Sequence, residues 1–128
     1  QSNNINWIYD KKEAEYVPTT DGKNQNIITN LGHELAHAVY NRDGKKPENA
    51  QEIEKEIEFP ISEIYATHIE NKLRSERNLP LRTHYTADER GRGTGQRIML
   101  NGESLFYDAN EKMNFELLED SKKKRYKY

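Results

Sequence analysis

Residues 31–40 read LGHELAHAVY, and within them His33, Glu34 and His37 form the pattern H-E-x-x-H. Positions i and i+4 of a helix lie one turn apart on the same face, so two histidines in this register can offer two imidazole nitrogens to one metal ion. Glu34 projects from the neighbouring side of the same turn, where a carboxylate can reach a metal-bound water without itself being a ligand. A helical period supports the assignment from about residue 24 to residue 41, and Asp43-Gly44 ends it. Ile28, Leu31, Leu35, Ala38 and Val39 fall on one stripe, which predicts one face for the core and a separate face for chemistry. Gly32 costs about 1 kcal/mol inside a helix, so its presence predicts a close neighbour that needs the space.

The rest of the chain sets bounds on what such a site can belong to. Its 128 residues suit one domain, and with 33% apolar and 33% charged residues the core is small and the surface ionic. The apolar residues nevertheless cluster in periodic runs, as a folded chain requires. A net charge of −2 gives no general attraction to nucleic acid or anionic membrane, and no run approaches the roughly 20 apolar residues of a membrane span. With no cysteine, neither disulfides nor thiolate ligands are available. The polar opening QSNNINWIYD lacks the apolar stretch of a signal peptide and reads as the start of a domain cut from a longer protein.

Residues 5–9, INWIY, predict a short strand, and Pro18 and Asp21-Gly22 break the polar segment after it. KKPENAQEIEKEIEF is acidic and predicts a loop with one helical turn at most. A second long helix runs from near Pro60 to just before Asn78, with an apolar stripe of Ile61, Ile64, Tyr65, Ile69 and Leu73. GRGTGQR at 91–97 has alternate glycines without the strand and helix of a phosphate loop, and predicts a flexible loop. RIML-NG-ESLFY predicts a β-hairpin, because Asn101-Gly102 suits a type I′ turn. EKMNFELLED is ambiguous between strand and helix, and the basic SKKKRYKY predicts a frayed, solvated end.

A hydrolytic zinc site takes three protein ligands and leaves the fourth position to water. Several residues compete for the third place. Asp43 stands where a metzincin-like pattern puts its last ligand, but Tyr40 occupies the position of the glycine that would turn the chain. His68 is in phase with the apolar stripe and reads as a packed residue. Glu63 and Glu70 both lie on the second long helix, in SEIYATHIEN. Gluzincins complete their site from a second helix with a Glu-x-x-Ala element, which Glu63 and Ala66 resemble. On that likeness Glu63 is the first choice, and Glu70 becomes a residue that orients a ligand histidine or grips substrate.

HELAHA followed by EIYATHIENKLRSERNLPLRTHY is similar to the NleD-type zinc metallopeptidases, a bacterial effector family whose relatives also end Rhs-repeat toxin proteins. The similarity covers roughly residues 5–85 and is most specific at Glu63, Ala66, Glu70-Asn71, Arg74, Glu76, Pro80, Arg82 and Tyr85. It implies a minimal zincin-like α+β domain, two ligand-bearing helices with a small antiparallel sheet at their side. The catalytic core would span about residues 5–90, with the hairpin and basic tail at 91–128 outside the similarity and free to set specificity. It also implies a Zn2+-dependent endopeptidase, secreted or translocated by a bacterium to cut a protein of another cell, acting as a monomer. A toxin aimed at competing bacteria would in addition require a cognate immunity protein. Tyr85 is the implied donor to the tetrahedral oxyanion, with His84 as runner-up. Asn71, Arg74, Arg82 and His84 are expected to be outer partners of the site or to contact substrate, with the alternative for Asn71 and Arg74 that they tie the second helix to a loop. The rival readings are an inactive zinc-binding module of the same fold and a nucleic-acid binder using Lys122, Lys123, Lys124, Arg125 and Lys127; the tail is better read as a docking arm for substrate or partner.

Overall fold

The fold is given by a computed structural model that describes residues 19–20, 27–43, 47–115, 118 and 123–128. Among them are three helices, α1 (Ile27–Asp43), α2 (Ala50–Ile57) and α3 (Ile61–Glu76). Strands β1 (His84–Ala87), β2 (Gly93–Arg97), β3 (Met99–Leu100), β4 (Glu103–Asp108) and β5 (Arg125–Lys127) follow. β1 and β2 form an antiparallel pair, and β3, β4 and β5 form a second antiparallel sheet with β4 at its centre. The molecule is therefore of the expected α+β class. The strand expected at residues 5–9 lies outside the described residues.

α3 starts where the sequence says it should. Pro60 is extended (φ −63°, ψ 135°) and caps a helix in which it could not have continued from the N-terminal side. Phe59, one residue earlier, and Ile64 are both about 1% exposed and share one apolar cluster, the staple arrangement that fixes a chain's entry into a helix. Ile98, just before β3, and Met99, Leu105, Phe106 and Tyr107 from the second sheet complete this core. A smaller cluster of Tyr40, Ala50 and Ile61 joins the three helices. The turn at Asn101 (φ 53°) and Gly102 (φ 79°) has the two left-handed residues of a type I′ hairpin, as the Asn-Gly pair predicts.

The face assigned to α1 needs correction. Leu31 and Leu35 are exposed, at 36% and 46%, whereas Ala36 and Tyr40 are buried. The packed face is thus the histidine face, and it rests on α3. An added Cβ at Gly32 would come within 2.2 Å of Leu73 Cδ1, which is why the helix carries glycine there. Periodicity misled because the opposing face of α3 is itself polar. Glu70 and Arg74 are buried there, Glu70 paired with both Arg74 and His33, so polar groups satisfy one another where an apolar seam would usually lie. The side chains of Ile28 and Asp43 lie outside the described residues.

Three further expectations change. Residues 50–57 form a full helix, α2, with Ala50, Ile53 and Ile57 turned inward and Glu58 closing it in the left-handed region (φ 55°). GRGTGQR is no loop: its residues 93–97 are β2, where the absent side chains of Gly93 and Gly95 leave room for His84 and Thr86 of β1. The C-terminal segment is not frayed, since Arg125–Lys127 pairs with β4 and Arg125 meets Glu103 at 3.3 Å. Its alternation of charged and aromatic residues is a strand signal that the charge concealed. Lys123 is tied to Asn114, which leaves the described tail far from a loose basic arm. The ambiguous stretch 111–120 is described only in part, and there Met113 bridges to Tyr107 in extended form.

Candidate metal centre

α1 supplies His33 and His37, and α3 supplies Glu63 from its first turn. The imidazole nitrogens His33 Nε2 and His37 Nε2 stand 3.2 Å apart. His33 Nε2 lies 2.9 Å from Glu63 Oε2, and His37 Nε2 lies 2.6 Å from Glu63 Oε1. These three residues offer donor atoms that all fall within 4.8 Å of one another. A tetrahedral ion with ligands about 2.0–2.1 Å away sets them about 3.3 Å apart, close to the spacing of the two nitrogens. Glu63 Oε2 is moreover buried, with His33 Nε2 beside it, a carboxylate oxygen whose charge a cation would compensate. The group can hold a metal ion.

Glu70 stands behind this cluster. Its Oε1 is 2.8 Å from His33 Nδ1, and as an ionised acceptor it favours a proton on Nδ1, which leaves Nε2 as the atom that faces Glu63 and His37. Glu70 is 1% exposed, and a carboxylate so buried needs charge compensation. Arg74 Nε donates to Oε2 at 2.9 Å and Arg82 Nη1 donates to Oε1 at 2.8 Å. Burial alone would raise the pKa of Glu70, but Arg82, His33 and Arg74 hold it well below the ordinary carboxylate range.

Electrostatics at the cluster itself follow the same pattern. Burial lowers the pKa of His33, but hydrogen bonds and attraction from Glu63 and Glu70 overcome it and raise the value to about 9. Burial raises that of Glu63, and His33 and His37 pull it down to about 2. In the absence of an ion, the cluster therefore keeps a proton among its carboxylates. A proton and a metal ion compete for one place.

The other residues singled out from sequence fall in distinct settings. Glu34 is exposed on the turn between the two histidines. Tyr85 on β1 packs edge-on against Phe59 with ring centres 4.5 Å apart. Burial, and then the Glu63 carboxylate, raise the pKa of its phenol, so the hydroxyl stays protonated and able to donate. His84 accompanies it on β1 but turns to Thr83 Oγ1 (2.9 Å) and lies over Gly93, and burial and then Arg97 lower its pKa. Asn71 clamps the backbone of Arg82, accepting its N–H at 2.7 Å and donating to its carbonyl at 3.0 Å. Arg74 also donates to the Pro80 carbonyl at 3.1 Å, so Asn71 and Arg74 tie α3 to the segment that enters β1. Asp43 ends an α1 that continues straight through Tyr40.

His68 is set apart from the cluster. It is 3% exposed, stacked on Tyr107 at 3.7 Å, and bonded through Nδ1 to the Tyr128 hydroxyl (2.7 Å) and through Nε2 to Glu111 (3.0 Å). Phe59 was not singled out from sequence, although its place before Pro60 was the available signal. Among the described residues no helix is long and apolar enough to cross a membrane. Comparison with protein-family profiles, with characterised proteins and with solved structures finds no match to this chain.

Proposed function

We propose that this chain is a zinc-dependent endopeptidase whose ion is held by His33, His37 and Glu63. The observation that carries the proposal is the convergence of two imidazole nitrogens at 3.2 Å with a carboxylate from a second helix. Two histidines and one glutamate form the donor set of hydrolytic zinc sites that keep one position open. Zinc bound there would supply Lewis acidity, lowering the pKa of a water to near 7 and polarising a carbonyl.

The residues of the chain then divide the work. Glu34 accepts the proton of the attacking water and passes it to the departing amide nitrogen. Tyr85 donates a hydrogen bond to the carbonyl oxygen as it becomes an oxyanion. Glu70 keeps His33 in the tautomer that presents Nε2. The similarity to effector metallopeptidases extends the proposal to a bacterial protein, secreted or delivered into a target cell, that cuts a protein there.

The second reading, an inactive zinc-binding module, is disfavoured by Glu34, since a structural site has no use for a base beside it. Glu34→Gln separates the two. The variant should bind zinc like the parent and lose about 10²–10⁴-fold of peptide cleavage across a peptide library, the usual worth of a general base. Equal cleavage by both proteins would remove the peptidase proposal.

A further inference from the structure

Arg82 joins two parts of the molecule that no other described side chain connects in this way. Its Nη1 donates to Glu70 Oε1, the same oxygen that faces His33 Nδ1. Its Nε donates to the His84 carbonyl at 3.0 Å, and its Nη2 to the Tyr85 carbonyl. All three nitrogens of the guanidinium are thus committed inside the protein, and the side chain is only 12% exposed. The backbone beneath is held as firmly, by Asn71 on one side and by the Thr19 bridge on the other. Three of its five N–H donors, one on each nitrogen, are spent on groups of the protein itself. Of the two roles expected from sequence, outer partner of the site or substrate contact, these bonds favour the first.

We propose that Arg82 is a positioning residue that makes one unit of the His33–His37–Glu63 cluster and the strand carrying Tyr85. One arm of the guanidinium holds Glu70 against His33, and the other two hold the β1 backbone in register with the cluster. The planar fork of arginine suits this task because its donors point in fixed, divergent directions. A lysine ammonium can neutralise Glu70 but cannot reach both carbonyls at once. The two duties should therefore separate in Arg82→Lys, whereas both should fail in Arg82→Met.

This inference rests on the metal reading of the cluster, and the experiment keeps the two apart. Zinc affinity is measured by competition with a chelator, and the Phe59–Tyr85 ring contact by NMR, in the parent, Arg82→Lys and Arg82→Met. Arg82→Met should lose zinc affinity by about 10–100-fold, the usual effect of removing an outer partner of a ligand, and should also lose the ring contact. Arg82→Lys should retain affinity within about threefold of the parent yet still lose the ring contact. A parent that takes up no metal overturns the metal reading itself. A parent that binds zinc while Arg82→Lys keeps the ring contact unchanged overturns the positioning role. Should Arg82→Met fail to fold, the Arg82→Lys result decides alone.

Discussion

His33 and His68 are both taken out of water by the same fold, and they answer burial in opposite ways. His33 sits between two carboxylates, Glu63 and Glu70, and its pKa rises to about 9. His68 sits among the rings of Tyr107, Tyr126 and Tyr128 with one half-exposed carboxylate, Glu111, and burial, only partly offset by that carboxylate, lowers its pKa to about 4. Burial is common to both; the partners differ. One histidine is kept ready for a positive charge, and the other is a neutral packing element that ties the C-terminal strand to α3. The difference explains why H-E-x-x-H marks a site whereas the buried His68 does not.

The largest expected effect comes from removing the charge that sustains the first region. Glu70→Ala removes the carboxylate that Arg74 and Arg82 share, and breaking a buried ion pair in this way costs about 3–5 kcal/mol. Urea unfolding should register that loss in the metal-free protein. A change under about 1 kcal/mol would show that the network does not hold the helices together.

The second region should respond less. His68→Phe keeps a ring to stack on Tyr107 but removes one hydrogen bond each from the Tyr128 hydroxyl and from Glu111, which keeps Lys72, at about 0.5–1.5 kcal/mol apiece. Zinc uptake should stay at the parent level. If His68→Phe weakened zinc binding as much as a change at the cluster, the separation of the two regions would be lost.

The two regions also differ in pH dependence, with opposite signs at the two histidines. A folded-state pKa of about 9 against the ordinary 6.5 means that the His33 contribution is fully present below pH 6.5 and is lost as pH rises through about 9. A folded-state pKa of about 4 means that the His68 contribution is present above pH 6.5 and is lost as pH falls through about 4. Metal-free protein should therefore be most stable near pH 6.5, with His68→Phe flattening the acid side alone. Thermal unfolding across pH 4–9 measures both sides. Added zinc should reverse the alkaline side, because the ion replaces the proton and binds better as pH rises.

Much of the helical framework was legible in the sequence. The limits of α3, the Asn101-Gly102 turn and the closeness implied by Gly32 all follow from local rules about proline, positive φ and the missing Cβ. The pairing of His33 and His37 follows from the helical repeat alone. Hidden from sequence was the inward direction of that face, because its burial depends on Glu63, Glu70 and Arg74, charged residues that pattern reading assigns to solvent. β2 and β5 were hidden for a related reason. The glycines of β2 make sense only once His84 and Thr86 are seen to occupy the space, and the lysines of the tail drew attention from Tyr126 and Tyr128. Arg82 could be named from sequence, but its threefold engagement could not.

The central claim is that His33, His37 and Glu63 form one zinc site, and zinc titration of the purified protein beside Glu63→Ala and Glu70→Gln tests it most directly. The account predicts one ion per chain for the parent, a loss for Glu63→Ala greater than the about 10–100-fold expected of an outer partner, and a loss within that range for Glu70→Gln. A parent that binds no zinc at neutral pH, or a Glu63→Ala protein that binds it as tightly as the parent, would contradict the account.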